Sequence, residues 1–294
     1  MNVAVVDVGS NTVRLLVSRL DRRGLQRVYE ERTQTALGAE IERGGALSAV
    51  KLAEVAAAVT QAVAAAKLAG AEEIEVLVTS PGRQCENSAA FVRALASAST
   101  AFVRVLSAQE EARLAYHGAL ACTRVREESV AVCDVGGGSA QIAVGAQGQE
   151  PSWVRSIDIG SLRLTSRHLG EDPPSAHALE GARAATAGEL AGFVPPLPQA
   201  ALATGGTARA LRKLVGPELG PAELAEALEL VTGSVSKELA AEYRIARWRA
   251  RLLPAGALIL AEIQSRLGVP LRVARGGLRE GAALQLFERD AAAA

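Results

Sequence analysis

The sequence predicts an α/β fold in two similar halves, and three observations carry that prediction. The segment VAVVDVG at residues 3–9 recurs as VAVCDVG at residues 130–136, with a difference only at Val6 and Cys133. Apolar strand-like runs alternate with helical runs along the chain, the pattern of mixed or parallel sheets covered by helices. At 294 residues with 49% hydrophobic content, the chain exceeds the usual single domain and suits two lobes of roughly 120 to 180 residues.

Each element follows from local pattern. Residues 3–6 and 13–17 read as strands flanking the first turn, residues 29–35 as a further strand, and residues 38–45 as a glycine-bounded loop. Residues 48–68 form a long alanine-rich helix closed by Gly70, and residues 74–79 a buried strand that ends at the breaker Ser80-Pro81-Gly82. A helix over 87–98 and a strand over 102–106 lead to Ser107-Ala108-Gln109-Glu110. That is a capping box, with Ser107 as N-cap and Glu110 reaching back, and it opens a helix to about residue 120.

The second half repeats the theme, with strands at 130–133, 140–144 and 153–157, then a helix at 162–169. Prolines at 173–174 and 195–198 punctuate it, and a strand at 200–203 meets Thr204-Gly205-Gly206-Thr207, which opens another helix. Helices at about 221–230, 236–243, 255–267 and 278–289 and a strand at 271–274 complete the chain. The lobe boundary falls between Tyr116 and Arg126, giving a division into 1–117 and 118–294.

Composition excludes several classes. Lysine plus arginine and aspartate plus glutamate number 32 each, which argues against a protein that coats nucleic acid or an anionic membrane. A polyanionic ligand would need a local basic cleft. Cys85, Cys122 and Cys133 show neither a CxxC pair nor metal-ligand spacing, so no disulfide framework or zinc site is indicated and a reducing cytoplasm fits. No basic segment precedes an apolar stretch at the N-terminus, so no signal peptide is expected. The longest apolar stretch, 55–66, reads as too short and too weakly apolar to span a bilayer.

Two glycine-containing turns follow the repeated strands, Ser10-Asn11-Thr12 after Gly9 and Gly137-Gly138-Ser139 after Gly136. Such turns bind phosphate because glycine admits positive φ, successive N–H groups point into one concavity, and a hydroxyl adds a donor. Asp7 and Asp134 just before them suit a magnesium ion, which takes about one or two carboxylates plus water and phosphate oxygens. Either turn alone reads better as an ordinary hairpin; two near-identical copies favour a duplicated functional lobe whose acidic loops converge on one groove. The 204–207 turn at a helix N-terminus also favours an anion, although a plain strand-to-helix turn has the same sequence. Arg209, Arg212 and Lys213 share a helical face and Arg247, Arg249 and Arg251 form a second basic group, either of which reads as a solvated face or as a polyanion channel. His117, His168 and His177 lack partners at ligand spacing and read as structural. The chain contains no GxxxxGK[ST], which excludes a P-loop enzyme.

Taken together, DVGSNTVRLL at 7–16, VTSPGR at 78–83, LSAQEEARLAYHG at 106–118, DVGGGS at 134–139, TGGT at 204–207 and GLREG at 277–281 make the chain resemble the exopolyphosphatase/guanosine pentaphosphate phosphatase family. The motifs stand in the family's order over nearly the whole chain. The resemblance implies two ribonuclease-H-like lobes of the actin-like, sugar kinase and heat-shock ATPase superfamily around a central cleft. It further implies Mg2+-dependent removal of terminal phosphate, with Mn2+ as an alternative metal, from inorganic polyphosphate or the guanosine pentaphosphate of the stringent response. A short form without the appended HD-type helical domain, a homodimer and a cytoplasmic location are expected on the same ground, with no nucleic-acid or membrane partner.

Carried over residue by residue, Glu111 matches the carboxylate that activates water and Asp134 the aspartate of metal and water positioning, with Asp7 as a second metal carboxylate. Glu110 has the capping role, and consecutive helical residues diverge by about 100°, which leaves Glu111 as the base. Arg83 matches the phosphate-binding arginine, although Pro81 and Gly82 stand where the family usually has alanine and leucine. Ser10, Asn11, Gly136, Gly137, Ser139, Gly205, Gly206 and Thr207 are the expected phosphate donors. Gln141 stands where the family more often has glutamate, which bears on metal affinity and turnover. The rival readings are a kinase of the same superfamily, and a regulatory protein that binds polyphosphate or guanosine tetra- or pentaphosphate and turns it over weakly.

Overall fold

A computed structural model describes residues 1–293. The chain divides into two units, Met1–Thr123 with the chain from Gly276 onward, and Arg124–Arg275. The first starts with β1 (Asn2–Val8), β2 (Thr12–Asp21) and β3 (Gly24–Gln34), followed by α1 (Leu37–Gly44) and α2 (Ala49–Leu68). It continues through β4 (Glu73–Val78), α3 (Ser80–Gln84), α4 (Ser88–Ser99), β5 (Phe102–Val105) and α5 (Ala108–Cys122). Its sheet has the order β3-β2-β1-β4-β5, antiparallel across the first three strands and parallel from β1 to β4 to β5.

The period of two along β1 explains why a strand of almost unbroken apolar residues suits the centre of this sheet. Ala4, Val6 and Val8 pack with the buried face of α2 and with Phe91 and Leu95 of α4. Val3 and Val5 point the other way, into a cluster with Leu77, Leu106, Leu114 and Ala115. Ser48 caps α2 by accepting a hydrogen bond from the Lys51 N–H. At 20 residues α2 is long and apolar enough, by length and composition alone, to cross a membrane, contrary to the expectation from residues 55–66. One face of it packs in the core: Val55, Ala58, Val59, Ala62, Val63 and Ala66 are buried against the sheet.

Two further expectations are corrected. Residues 38–45, read as a loop, contain α1: Leu37 and Ile41 lie one helical turn apart and are buried, while the glycines at its ends mimic a turn in sequence. Ser80-Pro81-Gly82, read as a breaker, opens the short helix α3, where proline in the first turn lacks only an N–H that would have no helical partner.

The second unit contains β6 (Ser129–Val135), β7 (Ala140–Ala146), β8 (Trp153–Ile157), α6 (Ser161–His168), α7 (Ala176–Glu189), β9 (Ala200–Thr204) and α8 (Gly205–Val215). It ends with β10 (Glu218–Leu219), α9 (Pro221–Gly233), α10 (Ser236–Glu242), α11 (Arg247–Ala250), α12 (Leu253–Leu267) and β11 (Leu271–Val273). Its sheet order is β10-β11-β9-β6-β7-β8, again with an antiparallel meander on one side of the repeated strand and parallel pairing from β6 to β9 to β11 on the other, where β10 adds an antiparallel edge. Helix α7 was not legible, since its alanine-rich sequence buries only Ala182 and Thr186.

The final helix, α13 (Leu278–Ala293), belongs to the first unit. The division therefore differs from 1–117 and 118–294 at both ends. Helix α5 runs unbroken to Cys122, and Leu278, Ala282, Ala283 and Leu286 of α13 complete the first unit's cluster with Leu114 and Ala115. Glycines make that packing close: a Cβ on Gly118 would lie 2.0 Å from the Gly277 oxygen, and one on Gly281 1.9 Å from the Leu114 oxygen. Both units follow the expected α/β plan, a mixed sheet with helices packed against it.

Candidate active site

In the first unit the hairpin between β1 and β2 closes with the Gly9 N–H donating to the Thr12 oxygen at 3.0 Å. The Thr35 and Ala36 amides donate to the Asn11 oxygen, and the Gly38 amide to that of Ser10, so the start of α1 fixes the loop. The Ser10 and Ser80 hydroxyls meet at 2.8 Å, which ties the hairpin to α3. Arg83 projects from the last turn of α3. Its Nη1 donates to the Leu106 oxygen at 2.8 Å, and its Nη2 lies 2.8 Å from Oε2 of Glu111, an ion pair with the carboxylate side chain only 9% exposed. The structure thus brings Ser10, Arg83 and Glu111 into one connected group.

Glu111 owes its place to the capping box, whose two halves are both formed at Ser107 and Glu110. Partial burial opposes the charge on Glu110, but the Ser107 N–H, the Ser107 hydroxyl and Arg104 outweigh it and hold the carboxyl below the ordinary glutamate range. Glu110 is therefore occupied locally, as its spacing implied.

Asp7 is 1% exposed. Its Oδ2 accepts from Nε and Nη2 of Arg14 at 3.0 and 2.5 Å, an arrangement set by the direct pairing of Asp7 with Arg14 across the hairpin. Its Oδ1 is buried without a hydrogen-bond partner, so it can give a cation a single oxygen at most. Asn11 Nδ2 is likewise buried and unpartnered.

In the second unit the β6–β7 hairpin closes in the same way, with the Gly136 N–H donating to the Ser139 oxygen at 3.0 Å. Here the first turn of α6 buttresses the loop: the Ser161 amide and hydroxyl donate to the Gly136 oxygen, and the Leu162 and Arg163 amides to that of Gly137. Contact is so close that a Cβ on Gly160 would lie 2.4 Å from Gly137 backbone atoms. Asp134 pairs across the ladder with Gln141, whose amide Nε2 donates to the Ser139 hydroxyl at 2.8 Å and to that of Ser156 at 3.2 Å.

The 204–207 turn starts α8 beside Asp134. Gly205 has φ of +86°, and a Cβ there would lie 2.5 Å from Asp134 Oδ1, so only glycine lets this backbone approach the carboxylate. A Cβ on Gly206 would lie 2.4 Å from Arg249 Nη2, which places the Arg249 guanidinium against the first turn of α8. Thr204 and Thr207 are fully buried, and neither hydroxyl has a hydrogen-bond partner. The structure therefore gathers Asp134, Gly205 and Gly206 with the second hairpin. Of the other basic residues, Lys213 donates to the Arg244 oxygen and Arg251 to that of Leu169.

Among the described residues no group of three or more His, Cys, Asp or Glu is placed to hold a metal. Buried unpartnered polar atoms are uncommon in folded proteins and costly. Five of them here, on Asp7, Asn11, Gln141, Thr204 and Thr207, lie on or next to the turns with the phosphate-site sequence.

Sequence reasoning missed Arg14, Ser80 and the Gly160–Ser161 buttress. Arg14 could have been found from the hairpin register, and the buttress from DIGS at 158–161, which echoes DVGS at 7–10.

Comparison with known proteins finds relatives along nearly the whole chain. Exopolyphosphatase 2 of Mycobacterium tuberculosis is 28% identical over 316 residues, which cover 97% of this chain and 98% of that protein. A crystal structure of the Aquifex aeolicus Ppx/GppA family member superposes with a TM-score of 0.82 at 23% identity over 98% of each chain. An exopolyphosphatase from Cytophaga hutchinsonii gives 0.86 at 17% identity, also over 98% of each; at these identities the likeness is one of fold. The model of the Ppx/GppA phosphatase family matches residues 16–290, and the chain belongs to that family.

Proposed function

We propose that the protein is a Mg2+-dependent exopolyphosphatase that releases terminal phosphate from inorganic polyphosphate by direct in-line attack of water. The observation that carries this reading is the Arg83–Glu111 ion pair at 2.8 Å, fixed through α3 to the Ser10 hairpin. It supports a reading in which a general base and a phosphate-binding fork share one scaffold. The similarity to proteins named exopolyphosphatase supports polyphosphate over guanosine pentaphosphate as the first substrate to test.

Phosphoryl transfer passes through a loose transition state, so catalysis rests on aiming the nucleophile and neutralising the equatorial oxygens. Glu111 takes a proton from the attacking water. Arg83 turns its planar donor fork to the phosphoryl oxygens, a geometry lysine cannot copy. Ser10, Asn11, Gly137, Ser139 and the Gly205-Gly206-Thr207 turn hold the phosphates through hydroxyl, amide and backbone donors, whereas the Gly136 N–H, expected among them, is spent on the Ser139 oxygen. Asp134 would hold the magnesium ion, with Asp7 limited to one oxygen, and the ion when bound would supply positive charge to the phosphate oxygens. No covalent phosphoenzyme is involved. Three free cysteines support a reducing compartment, and family resemblance supports a homodimer.

A second reading, a polyphosphate or guanosine pentaphosphate binder with weak turnover, is favoured by one feature: the residue opposite Asp134 is the amide Gln141. Phosphate release by the purified protein with Mg2+ separates the readings, using long-chain polyphosphate, guanosine pentaphosphate and ATP with sugars in parallel. Release from polyphosphate that is abolished in Arg83→Ala supports the exopolyphosphatase, whereas tight binding without release supports the binder.

A further inference from the structure

We propose that Arg104 is a positioning residue for the general base, acting on Glu111 through Glu110 and the first turn of α5; this rests on the phosphohydrolase reading above. Arg104 stands on β5, one strand from Glu75 of β4. Its Nε donates to Glu75 Oε1 at 3.0 Å, and its Nη1 to Glu110 Oε1 at 2.7 Å. The other Glu110 oxygen accepts from the Ser107 N–H at 2.8 Å, and the Glu111 N–H donates to the Ser107 oxygen at 3.0 Å. Strand, cap and base are thus joined by consecutive bonds. The same four-residue stretch also fixes the partner of Glu111, since the Leu106 oxygen accepts from Arg83. Residues 104–107 therefore set both ends of the Arg83–Glu111 pair.

The burial of this link argues that it serves more than stability. Glu75 is 2% exposed within a strand otherwise built of Ile, Val and Leu beyond its first residue. Its Oε2 and the Arg104 Nη2 are buried without hydrogen-bond partners, and Arg289 of α13 stands 3.7 Å from Glu75 Oε1. A half-satisfied buried ion pair is commonly neutral or unfavourable for stability relative to apolar residues of the same volume. What it provides is a fixed geometry. A register error of about 1 Å in a reacting group is enough to cost up to about 100-fold in rate.

The test compares wild type, Arg104→Met, Arg104→Lys and the double variant Glu75→Met/Arg104→Met in polyphosphate hydrolysis with Mg2+, in thermal melting, and in hydrogen exchange at the amides of 108–112. The expected result is a kcat about 10- to 100-fold lower in Arg104→Met and in the double variant, with KM within twofold of wild type. The double variant should melt no lower than wild type, exchange at 108–112 should quicken, and Arg104→Lys should recover part of kcat. A folded double variant with kcat and exchange both within twofold of wild type overturns the proposal, as does a loss shared equally by kcat and KM. If Arg104→Met alone does not fold, the double variant, which leaves no unpaired buried charge, carries the test. Wild type that releases no phosphate from polyphosphate refutes the phosphohydrolase reading instead, and unchanged exchange at 108–112 then refutes the anchoring independently.

Discussion

The β1–β2 and β6–β7 hairpins begin from almost the same seven residues and close with the same glycine-to-carbonyl bond, yet their aspartates live in different electrostatic surroundings. Asp7 faces Arg14 across the ladder and spends one oxygen on it. Asp134 faces the neutral amide of Gln141, and the Gly205 backbone stands against it. The loops are braced differently too, by the 35–38 segment in the first unit and by the α6 N-terminus in the second. The two copies share the strand and the turn, while the cross-strand partner differs, an arginine for Asp7 and an amide for Asp134.

The sharpest way to break this comparison is to make the same substitution twice. Asp7→Asn leaves the Arg14 guanidinium without its buried partner and should cost about 3 kcal/mol or more in unfolding free energy. Asp134→Asn should abolish polyphosphate hydrolysis with a much smaller loss of stability. Equal stability losses in denaturant titrations would erase the distinction. Second in size is the bracing. Gly160→Ala pushes a methyl into the Gly137 backbone and should destabilise by about 1–3 kcal/mol, whereas Gly9→Ala meets its nearest neighbour only at 3.6 Å and should be tolerated. A harmless Gly160→Ala would show that α6 does not hold the second loop.

The smallest expected effect is acidic. Because Glu110 is held below the ordinary glutamate value of 4.5, its contribution to stability is present above that pH and is lost as the pH falls through the folded value. Glu110→Gln should flatten that part of the melting-temperature curve below about pH 4.5, and identical curves would deny the capping carboxylate any share. The one substitution between the repeats is chemically quiet by comparison: burial, and then the neighbouring Asp134, push the Cys133 thiol up to about 12. Cys133 should therefore resist alkylation in the folded protein at neutral pH, as a buried thiol that packs like a small hydrophobe does.

Much of this was legible because it is local. Short apolar runs bounded by turn residues located the strands of both hairpins, and the Ser-x-x-Glu spacing located the start of α5 and assigned Glu110 to it. Segments whose conformation is decided elsewhere were not legible. Helix α1 is short and glycine-bounded, and only the burial of Leu37 and Ile41 makes it a helix. The close packing of α13 on α5 depends on glycines 118, 276 and 281, where a Cβ would strike the facing backbone. The Arg83–Glu111 pair joins residues from separate elements and carries no spacing signal. The Asp7–Arg14 pair did carry one, in the register of a hairpin closed by a bond from Gly9 to Thr12.

The catalytic claim rests on Glu111 as the base. The direct measurement is the rate of phosphate release from polyphosphate by Glu111→Gln under saturating Mg2+, alongside its affinity for the same polyphosphate. Loss of a general base predicts a fall of about 10^2- to 10^4-fold in kcat with affinity within a few-fold of wild type. A variant that turns over within threefold of wild type would contradict the assignment.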